Sequence, residues 1–213
     1  FQWSLSLGML LPNNVSRSSS RKMASRSRNW ILVTGQPGCG KTTAVQRLAA
    51  ALQEAGATIK GFCTEEVRQQ QGSSRIGFDV VTIPDGQRGP LARKGGKGGP
   101  KTGQYTVDVP SLERLALPTL EYDPNVQVYV LDEIGRMELH STKFQQQVQD
   151  LLARNNVRLV GAITSPRYGH RVEFCDQVSA TPGVTVHKLT KSNREQVVQG
   201  LLEQLEREWI PQL

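Results

Sequence analysis

The chain has 213 residues and a formal net charge of +7; 37% of its residues are hydrophobic and 21% are charged. This length suits one sizeable α/β domain and is too short for two. Residues 1–29 hold five basic side chains and no acidic one, so most of the positive charge belongs to a tail. We therefore expect no nucleic-acid partner. No apolar run of about 18 residues occurs, so we also expect no transmembrane helix and no membrane partner.

The N-terminal segment 1–28 is a short apolar stretch followed by a Ser- and Arg-rich tract. This composition cannot form a packed core, so we expect disorder here and place the folded domain at 29–210, with Met23 as the expected start of translation. The chain's three cysteines are isolated and odd in number, which indicates a reducing, cytoplasmic compartment. A mitochondrial destination stays open, because transit peptides are also rich in Arg and Ser and poor in acids.

A glycine-rich motif connects the first predicted strand to the first predicted helix. An apolar run from Trp30 to Val33 precedes it, and a helical pattern from Thr43 to Ala55 follows. The motif fits G-x-x-x-x-G-K-[ST], the phosphate-binding loop. Together with the first helical residue, the predicted nucleotide-binding residues of this loop are Gly35, Gln36, Pro37, Gly38, Cys39, Gly40, Lys41, Thr42 and Thr43.

The chemistry of this loop favours a phosphate ligand. A strand, a glycine turn and a helix N-terminus aim several backbone N–H groups and the positive end of the helix dipole at one point. The Lys41 ammonium can reach the β- and γ-phosphates, and the Thr42 hydroxyl can bind Mg²⁺. We therefore expect the chain to bind a nucleoside triphosphate, with Mg²⁺ as cofactor.

The segment 58–109 contains extended runs and no helical pattern. Strands are predicted at 58–64, 75–83 and 104–109. Between them, residues 93–103 hold five glycines and four basic residues, which predicts a mobile loop. That loop would be either a lid over the triphosphate or a surface loop. The whole segment is predicted to form a small β-rich insertion.

The rest of the chain alternates strands and helices. The predicted elements are a helix at 110–121 broken near Pro118, a strand at 125–135, a helix at 141–154, strands at 157–164 and 183–189, and a C-terminal helix opened by the capping box Ser192-x-x-Glu195. These strands are apolar throughout, which is typical of a parallel sheet covered on both faces. We predict an α/β fold: a single P-loop NTPase domain with a mostly parallel sheet, helices on both faces and the insertion at about 58–109.

An acidic pair ends the strand at 125–135. Parallel strands bring their carboxyl ends to the edge of the sheet where the phosphate loop also lies. Asp132 is the expected Mg²⁺ ligand, directly or through water, and Glu133 is expected to accept a proton from the attacking water or to orient it. The family resemblance given below implies that the rest of this segment also belongs to the nucleotide-binding site; its residues are Val128, Tyr129, Val130, Leu131, Ile134 and Gly135.

Further charged and polar residues have two interpretations each. Arg136 is either a catalytic cation that touches phosphate or a surface charge near Glu138. A second group either lines the site or forms a solvated ion-pair cluster; its members are Glu65, Glu66 and Arg68. A third group after the last strand either contacts the nucleotide or caps the final helix; its members are Thr190, Asn193 and Arg194.

The order of several longer segments identifies a family. They are GQPGCGKTT, GFCTEEVR, RIGFDVVT, RGPLAR, GQYTVDV, LDEIGRMEL and LTKSNR. Together, over about residues 29–207, they resemble the cancer-related nucleoside-triphosphatase family, small P-loop enzymes that hydrolyse nucleoside triphosphates to diphosphates and phosphate. The resemblance implies the same activity here, with the phosphate loop at Gly35–Thr42 and the acidic strand end at Val128–Gly135. The family motif often has Lys where this chain has Arg136, so a cation is retained.

Base selectivity and two other functions stay open at this stage. No guanine-specific N-K-x-D motif occurs, so ATP, GTP, CTP and UTP are all expected substrates. One alternative is a nucleotide or small-molecule kinase, which needs an acceptor pocket and usually an Arg-rich lid. The other is an NTP-dependent binding or scaffold module. In each case we expect a monomer whose partners are nucleoside triphosphates.

Overall fold

A computed structural model describes residues 29–69, 74–166 and 170–213. The expected disorder of residues 1–28 lies outside these ranges. The described strands are β1 (Asn29–Gly35), β2 (Ile59–Arg68), β3 (Arg75–Ile83), β4 (Arg88–Lys94), β5 (Lys101–Thr102), β6 (Tyr105–Val107), β7 (Val128–Ile134), β8 (Arg158–Ile163) and β9 (Val184–Leu189). The α-helices are α1 (Lys41–Glu54), α2 (Val109–Leu120), α3 (Thr142–Leu152), α4 (Glu173–Ala180) and α5 (Arg194–Gln204).

All nine described strands belong to one sheet, in the order β5-β6-β4-β3-β2-β7-β8-β1-β9. From β2 to β9 the neighbouring strands are parallel, and from β2 to β5 they are antiparallel. The α/β prediction is confirmed, and the β-rich insertion extends the parallel sheet instead of forming a separate unit. Strand β2 joins the two parts, because it pairs with β7 on one side and with β3 on the other.

Helices cover both faces of the sheet, and the alternation of side chains along β1 shows how. Trp30 and Leu32 pack into a core with residues of α2, α3 and α4. Ile31 and Val33 point to the opposite face and pack with residues of α1 and α5. All four side chains are at most 1% exposed. A strand buried on both faces must be apolar at every position, which is the pattern that predicted a parallel sheet.

The prediction of a mobile loop at 93–103 is wrong. Within the described residues this segment completes β4, forms β5 and turns into β6. The Thr106 hydroxyl donates to the Gly96 carbonyl at 2.8 Å, and the Val107 N–H donates to the Pro100 carbonyl at the same distance. Gly95 and Gly98 adopt positive φ, so the glycines here make tight turns between short strands.

The predicted break of α2 near Pro118 is also wrong, because the helix continues to Leu120. An internal proline costs about 3 kcal/mol through its missing N–H and its ring. The helix also buries Leu112, Leu115 and Leu120, and a buried leucine contributes about 1.5–3 kcal/mol. Packing of the apolar face therefore outweighs the local preference of Pro118.

The predicted capping box at the start of the C-terminal helix does not form. Asn193 precedes α5, and its side chain accepts a hydrogen bond from the Thr190 N–H at 2.7 Å and donates to the Lys188 carbonyl at 3.1 Å. The Glu195 carboxylate instead pairs with Arg47 of α1 at 2.9 Å. The chain after β9 is thus held by its own side-chain hydrogen bonds before the helix begins.

Strand β4 begins in a stretch for which no element is predicted, and α4 likewise lies in a stretch with no predicted element. None of the described helices is long and apolar enough to cross a membrane.

Candidate active site

The phosphate loop occupies the turn between β1 and α1. A side chain at Gly35 would collide with the Leu189 carbonyl of β9 and would lie 2.7 Å from the Cys39 sulfur. Gly38 and Gly40 adopt φ of +75° and +104°, which residues with a Cβ rarely adopt. The glycines of the motif are therefore required by close packing at its start and by backbone conformation further along.

The Lys41 ammonium lies inside the loop and faces the acidic pair. Its Nζ donates to the Gly35 carbonyl at 3.2 Å and lies 3.5 Å from Oε2 of Glu133. The Lys41 side chain is 13% exposed and the Glu133 side chain 26% exposed, so both remain accessible to a ligand. The fold thus brings together two predicted catalytic residues that are far apart in the sequence.

Asp132 is almost completely buried, at 1% exposure, and neither carboxylate oxygen makes a hydrogen bond of normal geometry within the described residues. Burial raises the pKa of this carboxyl to about 7, and the charge of Glu133 adds to the increase. The nearby Thr42 hydroxyl and the Lys41 charge act in the opposite direction. A buried carboxylate without a partner is costly unless a cation accompanies it.

The residues around Asp132 fit a magnesium ion. A carboxylate and a hydroxyl are the hard oxygen donors that Mg²⁺ prefers, and this ion usually keeps several waters and binds substrate phosphates. In the described ranges, no group of three or more His, Cys, Asp or Glu residues could hold a metal ion. Asp132 and Thr42 would therefore hold the ion together with phosphate oxygens and water.

A second carboxyl group lies beside Glu133. Glu138 is 2% exposed, and a Cβ at Gly135 would lie 2.9 Å from its Oε2 and against Oε1 of Glu133. Burial, followed by the charge of Glu133, raises the pKa of Glu138 well above its ordinary value. Burial therefore favours the protonated form of Glu138, and Glu133 is the more accessible carboxyl group of the two.

Other predicted residues lie in different surroundings. Nη2 of Arg136 donates to the His170 carbonyl at 2.9 Å. Glu65 pairs with Arg88, and Glu66 pairs with Arg68 at 2.6 Å. The acidic group in the last residues of β2 thus forms the exposed ion pairs that were one of its two interpretations.

Arg194 lies over the phosphate loop. A Cβ at Gly40 would lie 3.4 Å from its Cδ and 3.9 Å from its Nη1. Its Nε is 3.5 Å from Glu195, and the side chain is 47% exposed. This places an accessible guanidinium next to the residue that precedes Lys41.

A cleft that sequence reasoning missed opens beside the loop, with a volume of about 580 Å³. The start of the phosphate loop, the ends of β8 and β9, and α4 form its walls. The available signal was Thr164-Ser165, two polar residues directly after a buried parallel strand, where ligands of α/β sheets commonly bind. Helix α4 itself gave no such signal.

Comparison with known proteins places these features in a family. A family model described as NTPase matches residues 30–202. The human cancer-related nucleoside-triphosphatase is 40% identical over 182 residues, which cover 81% of this chain and 94% of the relative. The predicted resemblance is confirmed.

Two solved structures share the fold. The crystal structure of THEP1 from the hyperthermophile Aquifex aeolicus has a TM-score of 0.70 at 32% identity and covers 84% of this chain and 99% of its own. The solution structure of the human cancer-related nucleoside triphosphatase has the same TM-score at 38% identity, with coverage of 84% and 98%. With a phosphate loop, a buried magnesium-type carboxylate and relatives along most of its length, the chain belongs to the nucleoside-triphosphatase family.

Proposed function

We propose that this chain hydrolyses Mg²⁺-bound nucleoside triphosphates to diphosphates and phosphate, with Lys41, Asp132 and Glu133 as the central residues. The observation that supports this most is the arrangement at the carboxyl edge of the sheet. The Lys41 ammonium lies 3.5 Å from Glu133, and the buried, unpaired carboxylate of Asp132 lies next to it in the chain. This is the set of groups that phosphoryl transfer to water requires.

Different groups of the chain bind the phosphates and the metal ion. The backbone N–H groups of the loop and the Lys41 ammonium bind the β- and γ-phosphates, while Thr42 and Asp132 hold the metal ion. When bound, Mg²⁺ neutralises phosphate charge as the γ-phosphate bond breaks. Arg136 remains a proposed second cation; its contact with the His170 carbonyl would have to be exchanged for a phosphate oxygen.

Glu133 is proposed to act on the water. The γ-phosphate competes for the Lys41 ammonium, which frees the Glu133 carboxylate from its ion pair. The carboxylate then accepts a proton from a water molecule that lies in line with the γ-phosphate. The water oxygen attacks the phosphorus, the bond to the β–γ bridging oxygen breaks, and the nucleoside diphosphate leaves. Glu138 lies against Gly135 at 2% exposure, so it is not accessible to that water.

The structure favours water over an organic acceptor. Residues 93–103, which would have served a kinase as a lid, are fixed by hydrogen bonds in short antiparallel strands. We also propose that ATP, GTP, CTP and UTP are all substrates.

The first experiment measures phosphate release from ATP and Mg²⁺ with no acceptor present, for the natural chain and for Lys41→Ala. We expect steady release from the natural chain and a loss of at least about a hundredfold in the variant, the usual cost of removing an electrostatic stabiliser. Release that depends on an added acceptor would support the kinase, and equal rates in two folded proteins would contradict the proposed role of Lys41.

A further inference from the structure

Arg194 is the first residue of α5, and the surrounding packing fixes its backbone next to the phosphate loop. Its N–H donates to the Thr190 carbonyl at 3.1 Å in the turn after β9. Strand β9 ends at Leu189, whose carbonyl lies so close to Gly35 that a side chain there would collide with it. Further along α5, Val198 belongs to the same buried core as residues of α1, the helix that follows the loop. The start of α5 is therefore held against the loop from both of its neighbouring elements.

The Arg194 guanidinium lies beside the point where the loop becomes a helix. A Cβ at Gly40 would lie 3.4 Å from the Cδ of Arg194 and 3.9 Å from its Nη1. The backbone N–H groups at this point and the positive end of the α1 dipole favour a bound phosphate. The Arg194 side chain is 47% exposed, so it adds an accessible donor with a full positive charge to that site.

Arg194 approaches the loop from the side opposite to the acidic pair. In the sheet, β1 lies between β8 and β9, and β7 lies beyond β8. The Lys41 ammonium faces the β7 side, 3.5 Å from Glu133, and a lysine at this position of the motif reaches the β- and γ-phosphates. Under the proposed mechanism the γ-phosphate lies next to Glu133. A cation on the β9 side therefore meets the phosphate at the other end of the chain, which is the α-phosphate.

The ion pair that Arg194 makes in the structure can be exchanged for a phosphate. Its Nε lies 3.5 Å from Oε1 of Glu195, whereas Nη1 of Arg47 lies 2.9 Å from Oε2 of the same carboxylate. Exposed ion pairs contribute little to stability, while a guanidinium forms short, charge-assisted hydrogen bonds with phosphate. If Arg194 turns to a phosphate, Glu195 still has Arg47 as its partner. The exchange thus leaves no carboxylate without a counter-charge.

We propose that Arg194 binds the α-phosphate of the nucleotide and so determines affinity for nucleoside triphosphates and diphosphates. The inference rests on the proposed function. The charge of the α-phosphate is the same in the substrate, the transition state and the diphosphate product, so the cation stabilises all three to a similar extent. Loss of such uniform binding raises KM and leaves kcat nearly unchanged.

The test removes each member of the ion-pair chain separately. Arg194→Gln removes the cation next to the loop, and Glu195→Gln removes the carboxylate that both arginines share. Arg47→Gln is the matched control, because it removes an equal charge from the same carboxylate, six residues into α1 and about 9 Å from the start of that helix. Arg194→Lys keeps the charge.

Calorimetric titration in Mg²⁺ gives the Kd of each protein for ADP and for inorganic tripolyphosphate, which has the phosphates without the nucleoside. Phosphate release from ATP gives kcat and KM. Because Arg194 is exposed, its variants should fold, and a melting curve on each sample checks this.

We expect Arg194→Gln to bind both ligands about tenfold more weakly, which is about 1.4 kcal/mol, and to raise the KM for ATP by a similar factor. Its kcat should stay within about threefold of the natural value. Arg47→Gln and Glu195→Gln should match the natural chain within about threefold in every measurement, and Arg194→Lys should lie between Arg194→Gln and the natural chain.

Four results would overturn the inference. They are unchanged affinity in folded Arg194→Gln, an equal loss in Glu195→Gln, a loss for ADP with tripolyphosphate unaffected, and a fall in kcat at constant KM. The second would show an ion pair that only supports the fold, the third a contact with the nucleoside, and the fourth an action on the γ-phosphate. Each of them leaves phosphate release by the natural chain intact, whereas failure of the proposed function would abolish that release.

Discussion

At the scale of single residues, the site depends on carboxyl groups that burial has made unequal. Asp132 and Glu138 are at most 2% exposed, and their pKa values are raised; Glu133 is open to the site and contacts Lys41. A proton acceptor must be accessible to water, whereas burial favours the protonated form of a carboxyl group unless a cation accompanies it. The difference in burial thus separates Glu133, the proposed proton acceptor, from the buried acids Asp132 and Glu138.

Glu138 provides a test of this inequality through the pH dependence of stability. Its pKa is raised in the folded chain, so the folded state retains a proton that the unfolded state loses above about pH 4.5. The contribution of Glu138 to the free energy of unfolding is therefore greatest below that pH, and it decreases as the pH rises towards the pKa of the folded state. Glu138→Gln, which keeps the shape of the neutral acid, should raise the free energy of unfolding relative to the natural chain at pH 8 and much less at pH 4.

Urea unfolding at several pH values measures this difference, with the exposed Glu54→Gln on α1 as control. A stability difference between Glu138→Gln and the natural chain that does not grow with pH would show that Glu138 is ionised in the folded state. Turnover per folded molecule should stay within a few-fold of the natural value, since Glu138 is not the proposed base.

At the scale of elements, the proposed site residues lie at the ends of strands, and sequence patterns located most of these strands. The apolar runs predicted β1, β7 and β8 because buried parallel strands leave a continuous hydrophobic signal. Strand β9 lies at the edge of the sheet and is largely exposed. The glycine motif and the acidic pair could be assigned to strand ends for the same reason. The mobile loop at 93–103 and the break at Pro118 were wrong, because burial and long-range hydrogen bonds there override local preference, and no local pattern reports them.

The turn after β9 leads to a prediction about base selectivity. The Thr190 and Asn193 side chains hydrogen-bond to backbone groups between Lys188 and Asn193, so they offer few free groups to recognise a base. ATP, GTP, CTP and UTP should therefore have kcat/KM values within about one order of magnitude, or about 1.4 kcal/mol. Competition between pairs of nucleotides measures this. A hundredfold preference for one base would show that a specific recognition element faces it.

At the scale of the whole molecule, the parallel sheet brings together residues that lie about ninety positions apart in the sequence. Strand β8 separates β1 from β7, so the phosphate loop and the acidic pair belong to strands about 9–10 Å apart. The long Lys41 side chain spans that gap to Glu133. The sequence predicted this meeting from topology alone, whereas the adjoining cleft depends on α4, whose short and weakly patterned helix escaped prediction.

Metal dependence tests the assembled site. Because Asp132 is buried and the described residues give its carboxylate no hydrogen bond of normal geometry, ATP with Mg²⁺ should raise the Tm by several degrees, and ATP with EDTA by much less. Phosphate release should require Mg²⁺ or Mn²⁺. Asp132→Asn should lose the metal-dependent part of the Tm increase. Full turnover in EDTA would contradict the assignment of Thr42 and Asp132 to a metal ion.

The central claim is that Glu133 acts on water while Lys41, Thr42 and Asp132 bind the substrate. Glu133→Gln keeps the size of the side chain and removes the proton acceptor. Glu65→Gln, at a carboxylate paired with Arg88, serves as the control. On the same folded samples, titration with a fluorescent nucleotide gives affinity, and phosphate release gives turnover.

This one measurement should separate binding from chemistry. The account predicts that Glu133→Gln binds nucleotide within a few-fold of the natural chain while its turnover falls by about 10²–10⁴, the range for loss of a general base. Glu65→Gln should retain both properties. Turnover of Glu133→Gln above about a tenth of the natural rate, with affinity intact, would contradict the account, because another group would then be activating the water.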